Sequence, residues 1–361
     1  MPFSPHYSIS IETAKALMAI EASRAAVDKL PVTPQLIASL RESARLLSTH
    51  YSTQIEGNRL TAAEVEKVIA GQGGFPGRER DETEVRNYYL AADKAEALAA
   101  LKLPLKEEDI KTLHGLVLDG KAKPTPYRDG QNVIRDSVTQ SMVYMPPEWR
   151  EVPALMQELV NWINHEMETR ELPVPVIAGL AHYQFATIHP YDDGNGRTAR
   201  LLTSLILYRG GYGLKGIYSL EEYYARKLDG YYEALTVGES HNYHMGRAEA
   251  DVSAFLEYFC KGMADAVAKV LAHAEVVGAS SPSDKVALLR ELRPIQRQAM
   301  GLFAQNKVIT STELATYLGL SAMQARAHCS KWVDEGFLAI DNPSKKARSY
   351  KLSERFERSL S

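Results

Sequence analysis

Residues 189–200 carry side chains that can act on a nucleotide: they read His-Pro-Tyr-Asp-Asp-Gly-Asn-Gly-Arg-Thr-Ala-Arg. A neutral His189 could take a proton from a hydroxyl group. Asp193 is placed to hold a magnesium ion, which prefers a carboxylate together with phosphate oxygens and water. Arg197 and Arg200 are one helical turn apart, and guanidinium groups bind phosphate through paired hydrogen bonds. The spacing therefore predicts a site that holds a polyphosphate.

The glycines of this run, Gly194 and Gly196, flank Asn195 just before a predicted helix. Residues 197–208 contain helix formers and no breaker until Gly210. A helix N-terminus has unpaired N–H groups and the positive end of the helix dipole, and glycine lets the main chain come close to a ligand. Each feature alone has a commoner interpretation: a Gly-x-Gly sequence is usually a turn, a histidine is more often structural, and an arginine pair is often a solvated helix face. The occurrence of all three in one run favours a functional site.

The run resembles the signature of the Fic family, His-x-Phe-x-Asp/Glu-Gly-Asn-Gly-Arg-x-x-Arg. It departs from that pattern at Tyr191, which replaces the usual phenylalanine and keeps an aromatic core anchor. The resemblance implies transfer of AMP from ATP to a Ser, Thr or Tyr hydroxyl of a target protein, with release of pyrophosphate. Relatives that act as kinases carry lysine where this chain has Gly196, so the glycine favours nucleotidyl transfer.

The resemblance also implies a role for each signature residue. His189 would be the base that activates the target hydroxyl, and Asp193 would hold Mg²⁺ or Mn²⁺. The loop of Gly194, Asn195 and Gly196 would form the anion hole, and the pair Arg197 and Arg200 would clamp the outer phosphates of ATP.

Residues 52–57, Ser-Thr-Gln-Ile-Glu-Gly, resemble the inhibitory motif of the same family. They end a helix that is predicted to open at Thr33-Pro34 and to close at Gly57-Asn58, with Ser52 and Glu56 on one face. Without the resemblance, Glu56 would be interpreted as an ordinary solvent-facing helix charge. With it, Glu56 is expected to pair with Arg200 and to block the productive pose of the γ-phosphate.

The remaining chain predicts a mainly α protein, a Fic-type helical bundle with a short β-hairpin flap, followed by a small winged-helix domain. Thr61 to Glu64 form a capping box, and Ile177 to Ile188 form a buried central helix that leads into the signature. Residues 131–135 and 141–145 predict a hairpin. By resemblance it is the flap that positions an extended segment of the target, although an ordinary surface hairpin has the same pattern.

Four tyrosines at helical spacing follow the signature: Tyr223, Tyr224, Tyr231 and Tyr232. Aromatic residues in such a pattern belong more often to a core than to a ligand site. The pattern Tyr-Tyr-x-x-Leu resembles the adenine-contacting segment of the family, so Tyr231 is the candidate for that contact. Relatives often have asparagine eight residues further on, where this chain has Glu239.

Three regions are predicted: an N-terminal helical region over 1–105, a Fic core over 106–275 and a winged-helix domain over 284–361, with residues 279–283 as a linker. In the last region Thr312 caps a helix, Gly319 turns the chain and residues 321–335 form a second helix, as in a helix-turn-helix. Two strands with a basic tip at 345–351 would form the wing. The exposed polar residues expected on the second helix are Gln324, Arg326, His328 and Lys331.

Charge and composition restrict the setting of this 361-residue chain. Its net charge is −3, but residues 284–361 contain 13 Lys and Arg against 8 Asp and Glu, a net charge of +5. This asymmetry permits contact with DNA, and winged helices also serve in dimerisation or protein docking. Cys260 and Cys329 are the two cysteines, so no disulfide framework is expected, and a cytoplasmic setting fits. No segment resembles a signal peptide or a membrane span.

The leading interpretation is a protein adenylyltransferase that is inhibited by its own Glu56 and uses ATP and Mg²⁺. Its expected partners are a hydroxyl-bearing target protein, including itself, a second copy of the chain, and DNA or a protein at the winged-helix domain. Two alternatives remain open: a transcriptional regulator that senses nucleotide and binds DNA, and a Fic enzyme that uses another nucleotide or phosphoryl donor.

Overall fold

A computed structural model describes residues 3–29, 34–135, 139, 141–238, 240–278, 292–344 and 348–357. The described structure is mainly helical, with short antiparallel strands. The helices before the hairpin are α1 (Ile11–Lys29), α2 (Pro34–Ile55), α3 (Ala62–Ile69), α4 (Glu79–Ala100) and α5 (Glu107–Asp119). After it come α6 (Val152–Thr169), α7 (Val174–Ile188), α8 (Asn195–Arg209), α9 (Glu221–Arg226), α10 (Leu228–Leu235) and α11 (Ser253–Gly278). The chain divides into two compact units, and the first comprises residues 1–22, 45–214 and 219–266.

The core of the first unit is built around α7. This helix is apolar almost throughout, and nearly all its side chains are buried between α6 and α8, while α4 packs on α5 and α8. A helix that is hydrophobic all round has no solvent face and must occupy an interior position. The prediction of a buried central helix over 177–188 is confirmed, and the helix starts three residues earlier, at Val174.

Helix α2 ends where the sequence predicts, because Gly57 adopts a φ of +92° that suits glycine. Its predicted cap Thr33 lies outside the described residues. The capping box is confirmed: Thr61 accepts from the amide of Glu64, whose carboxylate accepts from the amide of Thr61. It starts α3, which packs its buried Val65 and Val68 against Val85 of α4.

The predicted hairpin is present but shorter than expected, with strands β1 (Ile134–Arg135) and β2 (Met142–Tyr144) paired antiparallel. Residues 136–138 and 140 of its connection lie outside the described residues. Pairing does not extend over the whole of 131–135 and 141–145, because the main chain of Met145 instead exchanges hydrogen bonds with His241 and Tyr243. The hydroxyl of Tyr144 donates to the carbonyl of Thr187 at 2.9 Å, which fixes the hairpin to the last turn of α7.

The second unit comprises residues 23–44, 215–218 and 267–361. Its carboxy-terminal elements are α12 (Pro294–Gln305), β3 (Ile309–Thr310), α13 (Ser311–Leu318), α14 (Ala322–Asp334), β4 (Leu338–Asn342), β5 (Ser349–Leu352) and α15 (Glu354–Glu357). The three strands form an antiparallel sheet in the order β3-β5-β4. These bounds agree with the predicted helices and strands within a few residues, while the winged-helix interpretation stays a prediction.

One local prediction in this unit is wrong. The residue that caps α13 is Thr310, whose hydroxyl accepts from the amide of Glu313 at 3.2 Å, and not Thr312. Since Glu313 stands three residues after Thr310 and completes a capping box, the helix starts two residues earlier. Residues 279–283, the predicted linker, and 345–347 of the basic tip lie outside the described residues. Among the helices that the structure describes, none has the length and apolar character of a membrane span.

Candidate active site

His189 ends α7 in a left-handed conformation, with a φ of +50°. Few residues other than glycine adopt this conformation, so the surrounding structure must hold it. The side chain is partly buried, and burial lowers the pKa of His189 to about 4, an effect that the positive charge of Arg128 reinforces. The imidazole is therefore neutral at physiological pH and has a free lone pair to accept a proton.

Arg128 holds the backbone of His189 in place, and sequence reasoning did not find it. Its Nε donates to the carbonyl of His189 at 3.0 Å, Nη1 to Gly130 at 3.0 Å and Nη2 to Pro147 at 2.6 Å. The amide of Arg128 also donates to the carbonyl of Pro190. A single buried guanidinium thus ties the end of α7 to the base of the hairpin. Its position in the segment between α5 and β1 carries no local signal of this role.

The loop before α8 is closed by Asn195. Its Oδ1 accepts from the amide of Tyr191 at 3.0 Å, and its Nδ2 donates to the carbonyl of the same residue at 2.7 Å. Gly194 precedes the helix with a φ of +77°. The amide groups of Asn195, Gly196 and Arg197 have no acceptor among the residues that the structure describes. The predicted helix N-terminus with free donors is thus in place, and the Asn195 side chain shapes the loop around it.

Asp193 lies at the open side of this loop, with its side chain 60% exposed. Its Oδ1 accepts from the amide of Gly194 at 2.5 Å and from Nη2 of Arg197 at 3.0 Å. Nε2 of the buried His114 donates to its backbone carbonyl at 2.9 Å, and the His114 ring stacks on Tyr191 with centroids 3.5 Å apart. Tyr191 therefore serves as the expected aromatic anchor.

The structure contains the ion pair that the resemblance predicts between α2 and α8. Nη2 of Arg200 lies 2.8 Å from Oε1 of Glu56 and 2.9 Å from the carbonyl of Ser52, and Nε lies 2.8 Å from the Ser52 hydroxyl. The Arg200 side chain is 1% exposed and that of Glu56 is 29% exposed. Burial disfavours the charge of Arg200, but the negative charge of Glu56, with further contributions from Tyr231 and Tyr88, raises its pKa above the ordinary value. The guanidinium stays charged.

Glu56 lies directly over the predicted phosphate loop. A Cβ on Gly196 would overlap Oε1 of Glu56 and lie 3.2 Å from Nη1 of Arg200. The carboxylate therefore occupies space next to the loop backbone that only glycine leaves open. Nη1 of Arg200 is buried and has no hydrogen-bond partner among the described residues, so it is a donor still available beside the loop.

The tyrosines after the signature differ in exposure. Tyr231 is 3% exposed and its hydroxyl lies 2.8 Å from Nε2 of His182, whereas Tyr232 is 48% exposed. Both rings are close enough to Arg200 and Glu56 for these charges to act on their hydroxyls. The adenine contact predicted for Tyr231 stays a prediction, and Tyr232 is the neighbouring ring that is open at this site. Glu239 lies outside the described residues.

The donor set fits a magnesium ion held mainly by substrate. Among the described residues no group of three or more His, Cys, Asp or Glu side chains forms a metal cluster. Mg²⁺ commonly needs only one or two carboxylates together with phosphates and water. The exposed carboxylate of Asp193, next to the free amides of the loop, meets that requirement.

A neutral His189 close to a helix N-terminus with free amide donors is the arrangement that the sequence predicts for a site that holds a polyphosphate. Residues 104–207 match the model of the Fic/DOC family. The protein adenylyltransferase Fic of Drosophila willistoni is 32% identical over 199 residues, which are 55% of this chain and 39% of that protein. The counterpart from Drosophila virilis is also 32% identical, over 40% of its length. The chain thus spans less than half the length of these curated relatives.

Solved structures share the fold. A Fic family protein from Desulfovibrio desulfuricans G20 superposes with a TM-score of 0.61 at 24% identity, over 98% of this chain and 99% of that chain. A variant fragment of Fic-1 from C. elegans superposes with a TM-score of 0.56 at 25% identity, over 72% of each chain.

Proposed function

We propose that this protein is an adenylyltransferase that transfers AMP from ATP to a Ser, Thr or Tyr hydroxyl of a target protein. One observation carries the proposal: a neutral His189 lies one short loop away from the free amide donors of Asn195, Gly196 and Arg197. A base and an anion-binding helix N-terminus are the parts that transfer of a nucleotidyl group requires. The names of the relatives from Drosophila agree with this activity.

In this mechanism the chain's own residues position both reactants. His189 takes the proton of the target hydroxyl as its oxygen attacks the α-phosphorus of ATP. The bond from the α-phosphorus to its bridging oxygen breaks, and pyrophosphate leaves. The loop amides and the guanidiniums of Arg197 and Arg200 bind the outer phosphates and stabilise the charge that develops there. Asp193 would hold Mg²⁺ or Mn²⁺, which supplies charge neutralisation of the phosphates.

Glu56 inhibits this reaction by occupying the phosphate subsite. Its carboxylate competes with phosphate for Arg200 and covers the loop at Gly196. Two anions cannot share this space without strong repulsion, so ATP in its productive pose requires that Glu56 leave. Ser52 supports the inhibited state, since both its hydroxyl and its carbonyl accept from the same guanidinium.

The test is label transfer from ATP. Purified protein is incubated with α-labelled ATP and Mg²⁺ or Mn²⁺, beside the variants His189→Ala and Glu56→Gly. We expect protein-bound label from Glu56→Gly, including label on the enzyme itself. We expect none from the double variant that combines Glu56→Gly with His189→Ala. Label that survives His189→Ala would exclude His189 as the base. The same assay with each nucleoside triphosphate, labelled in the α- or the γ-position, separates AMP transfer from the use of another donor.

The remaining parts of the proposal concern setting and partners. The adenine base of ATP would lie at the Tyr231–Tyr232 segment, where Tyr232 offers an exposed ring. The division into 1–105, 106–275 and 284–361, the cytoplasmic location and a homodimer belong to the same proposal. The hairpin would position the target's extended segment by main-chain pairing.

A second candidate function, DNA binding by the carboxy-terminal elements, is favoured by the surface of α14. Gln324, Arg326 and Lys331 are exposed there, whereas the predicted His328 is half-buried against Trp332. Side chains of this kind contact base edges and phosphates when a helix enters the major groove. Electrophoretic shift of DNA at physiological salt, with and without ATP, tests it; the absence of any shift would leave protein docking as the role of this region.

A further inference from the structure

The backbone carbonyl of Asp193 is bound by a side chain from another helix. Nε2 of His114, on α5, lies 2.9 Å from this oxygen. Within the part of the chain that the structure describes, no other hydrogen bond to this carbonyl is found. His114 is 2% exposed, and the proposed reaction makes no use of it. A buried imidazole therefore supplies the partner that this end of the phosphate loop requires.

The direction of each hydrogen bond of His114 follows from the donors and acceptors around it. A carbonyl only accepts, so Nε2 must carry a hydrogen. The other ring nitrogen, Nδ1, lies 2.6 Å from the hydroxyl oxygen of Thr125. In the neutral ring Nδ1 has the lone pair, so the Thr125 hydroxyl donates to it. Thr125 thus fixes the tautomer that donates to Asp193.

The peptide between Asp193 and Gly194 is held through both of its polar groups. Its carbonyl accepts from His114, and its N–H donates to Oδ1 of the Asp193 carboxylate at 2.5 Å. A trans peptide is planar, so its carbonyl and its N–H point in opposite directions. A carbonyl fixed against α5 therefore turns the N–H toward the carboxylate. The same oxygen, Oδ1, accepts a second hydrogen bond from Nη2 of Arg197 at 3.0 Å.

Gly194 makes this peptide easy to rotate once its carbonyl is released. A Cβ on Gly194 would lie 3.2 Å from Nε2 of His114 and 3.3 Å from Leu118, and the φ of +77° also favours glycine. Glycine has weak backbone preferences, so the adjoining peptide can turn at low cost. Rotation would bring the carbonyl oxygen toward the Asp193 carboxylate, and repulsion between the oxygens would drive the carboxylate from its place.

We propose that His114 is a positioning residue: its Nε2–H fixes the peptide between Asp193 and Gly194 and so holds the Asp193 carboxylate where it would bind the metal of ATP. The inference rests on the proposed function, because that function assigns Asp193 to Mg²⁺ or Mn²⁺. The free amides of the loop lie beyond this peptide, in the first turn of α8. Loss of the Nε2–H should therefore weaken the metal-dependent part of ATP binding.

The experiment uses the double variant Glu56→Gly, His189→Ala, which is expected to bind ATP without turnover. Calorimetry measures the Kd of ATP with Mg²⁺ and with EDTA in place of the metal. His114→Phe keeps a flat ring against Tyr191 but has no donor, and His114→Gln keeps an N–H of similar reach but loses the ring. The two substitutions are added to the parent separately.

The two variants should separate the donor from the ring. His114→Phe should weaken ATP with Mg²⁺ about three- to tenfold, the effect of one lost hydrogen bond, and should leave the Kd in EDTA unchanged. His114→Gln should keep the Kd with Mg²⁺ within about twofold of the parent, because the donor is retained. Rescue by glutamine is the result that a purely structural role of the ring would not give.

Three results would overturn the positioning role. An unchanged Kd in His114→Phe would show that the carbonyl needs no donor, and equal weakening in His114→Phe and His114→Gln would assign the effect to ring packing. Weakening by the same factor with Mg²⁺ and in EDTA would place the effect on the loop amides and not on the carboxylate. If the parent variant binds no ATP, the proposed function fails and this inference with it, whereas the three results above leave that function intact.

Two further measurements keep the proposal testable if His114→Phe does not fold. In ¹⁵N NMR of the parent variant, His114 should be protonated at Nε2, and its signals are those that His114→Gln lacks. Protonation at Nδ1 would leave the Asp193 carbonyl without its donor and contradict the proposal. Thr125→Val removes the hydroxyl that fixes this tautomer and should weaken ATP with Mg²⁺ but not in EDTA. An unchanged Kd with Mg²⁺ would overturn the fixed tautomer on which the role depends.

Discussion

Replacing Glu56 is expected to increase the use of ATP in a graded way, because under the proposed function the carboxylate makes two separable contributions to inhibition. Its charge binds Arg200 through Oε1 at 2.8 Å, and its bulk covers the loop at Gly196. Glu56→Gln removes the charge but keeps the size and a neutral acceptor. Glu56→Gly removes charge, acceptor and bulk together. We therefore expect the order Gly, Gln, wild type, from highest to lowest activity.

The magnitudes follow from the geometry of the pair. A hydrogen bond between two charged groups contributes about 1.5–3 kcal/mol, and a neutral acceptor contributes about half as much. Since the Glu56 side chain is 29% exposed, water screens it in part, and a value near the lower end applies. Glu56→Gln should raise kcat/KM for ATP about fivefold, equivalent to about 1 kcal/mol. Glu56→Gly should raise it about 30-fold, equivalent to about 2 kcal/mol.

The assay measures initial rates of label transfer from ATP over a range of ATP concentrations. The enzyme itself serves as the target, so its own hydroxyl groups accept the label. Glu42→Gln is the matched control, because it removes an exposed carboxylate from the same helix α2, away from the loop. It should leave kcat/KM unchanged. Equal kcat/KM in wild type, Glu56→Gln and Glu56→Gly would refute the competition between carboxylate and phosphate.

Three other substitutions or conditions test how the site is held. Arg128→Lys keeps the charge but loses the guanidinium nitrogens that reach three carbonyls. We therefore expect a free energy of unfolding that is lower by about 2–4 kcal/mol in denaturant, and a lower kcat. A change in the free energy of unfolding within about 0.5 kcal/mol would contradict the anchoring role of Arg128. Asn195→Ala in the Glu56→Gly background opens the loop at Tyr191 and should reduce label transfer about tenfold or more, whereas an unchanged rate would show that the loop closes without it. Acidification should destabilise the protein, because the pKa values of His50 and His189 are lowered to about 4 and that of His182 to about 3. The unfolded chain therefore binds more protons than the folded chain between about pH 6.5 and pH 4. The free energy of unfolding falls as the pH is lowered across that window. The urea midpoint should be lower at pH 5 than at pH 7.5, less so in His50→Gln, and an equal or higher midpoint at pH 5 would contradict the assignment.

Local features of this protein could be predicted from its sequence. The glycines at 194 and 196, followed by helix formers, place a helix N-terminus after the loop, since both the free amides and the helix start depend on neighbouring residues alone. The apolar run of α7 and the capping box at Thr61 are local for the same reason. The residues of the signature at 189–200 lie close together in the sequence, so the proposed chemistry of a base beside a phosphate-binding loop could be inferred without knowledge of the fold.

Contacts between distant residues were decided by the tertiary structure. Arg128 reaches the carbonyl of His189 across 61 residues, and the Tyr231 hydroxyl reaches His182 across 49. Arg200 and Glu56, 144 residues apart, are paired in the structure, while the sequence suggested their pairing only by resemblance to a family. Propensity and periodicity determine where a helix begins and which face is apolar. The meeting of two buried polar side chains depends instead on how helices pack, and this is fixed by the whole core at once.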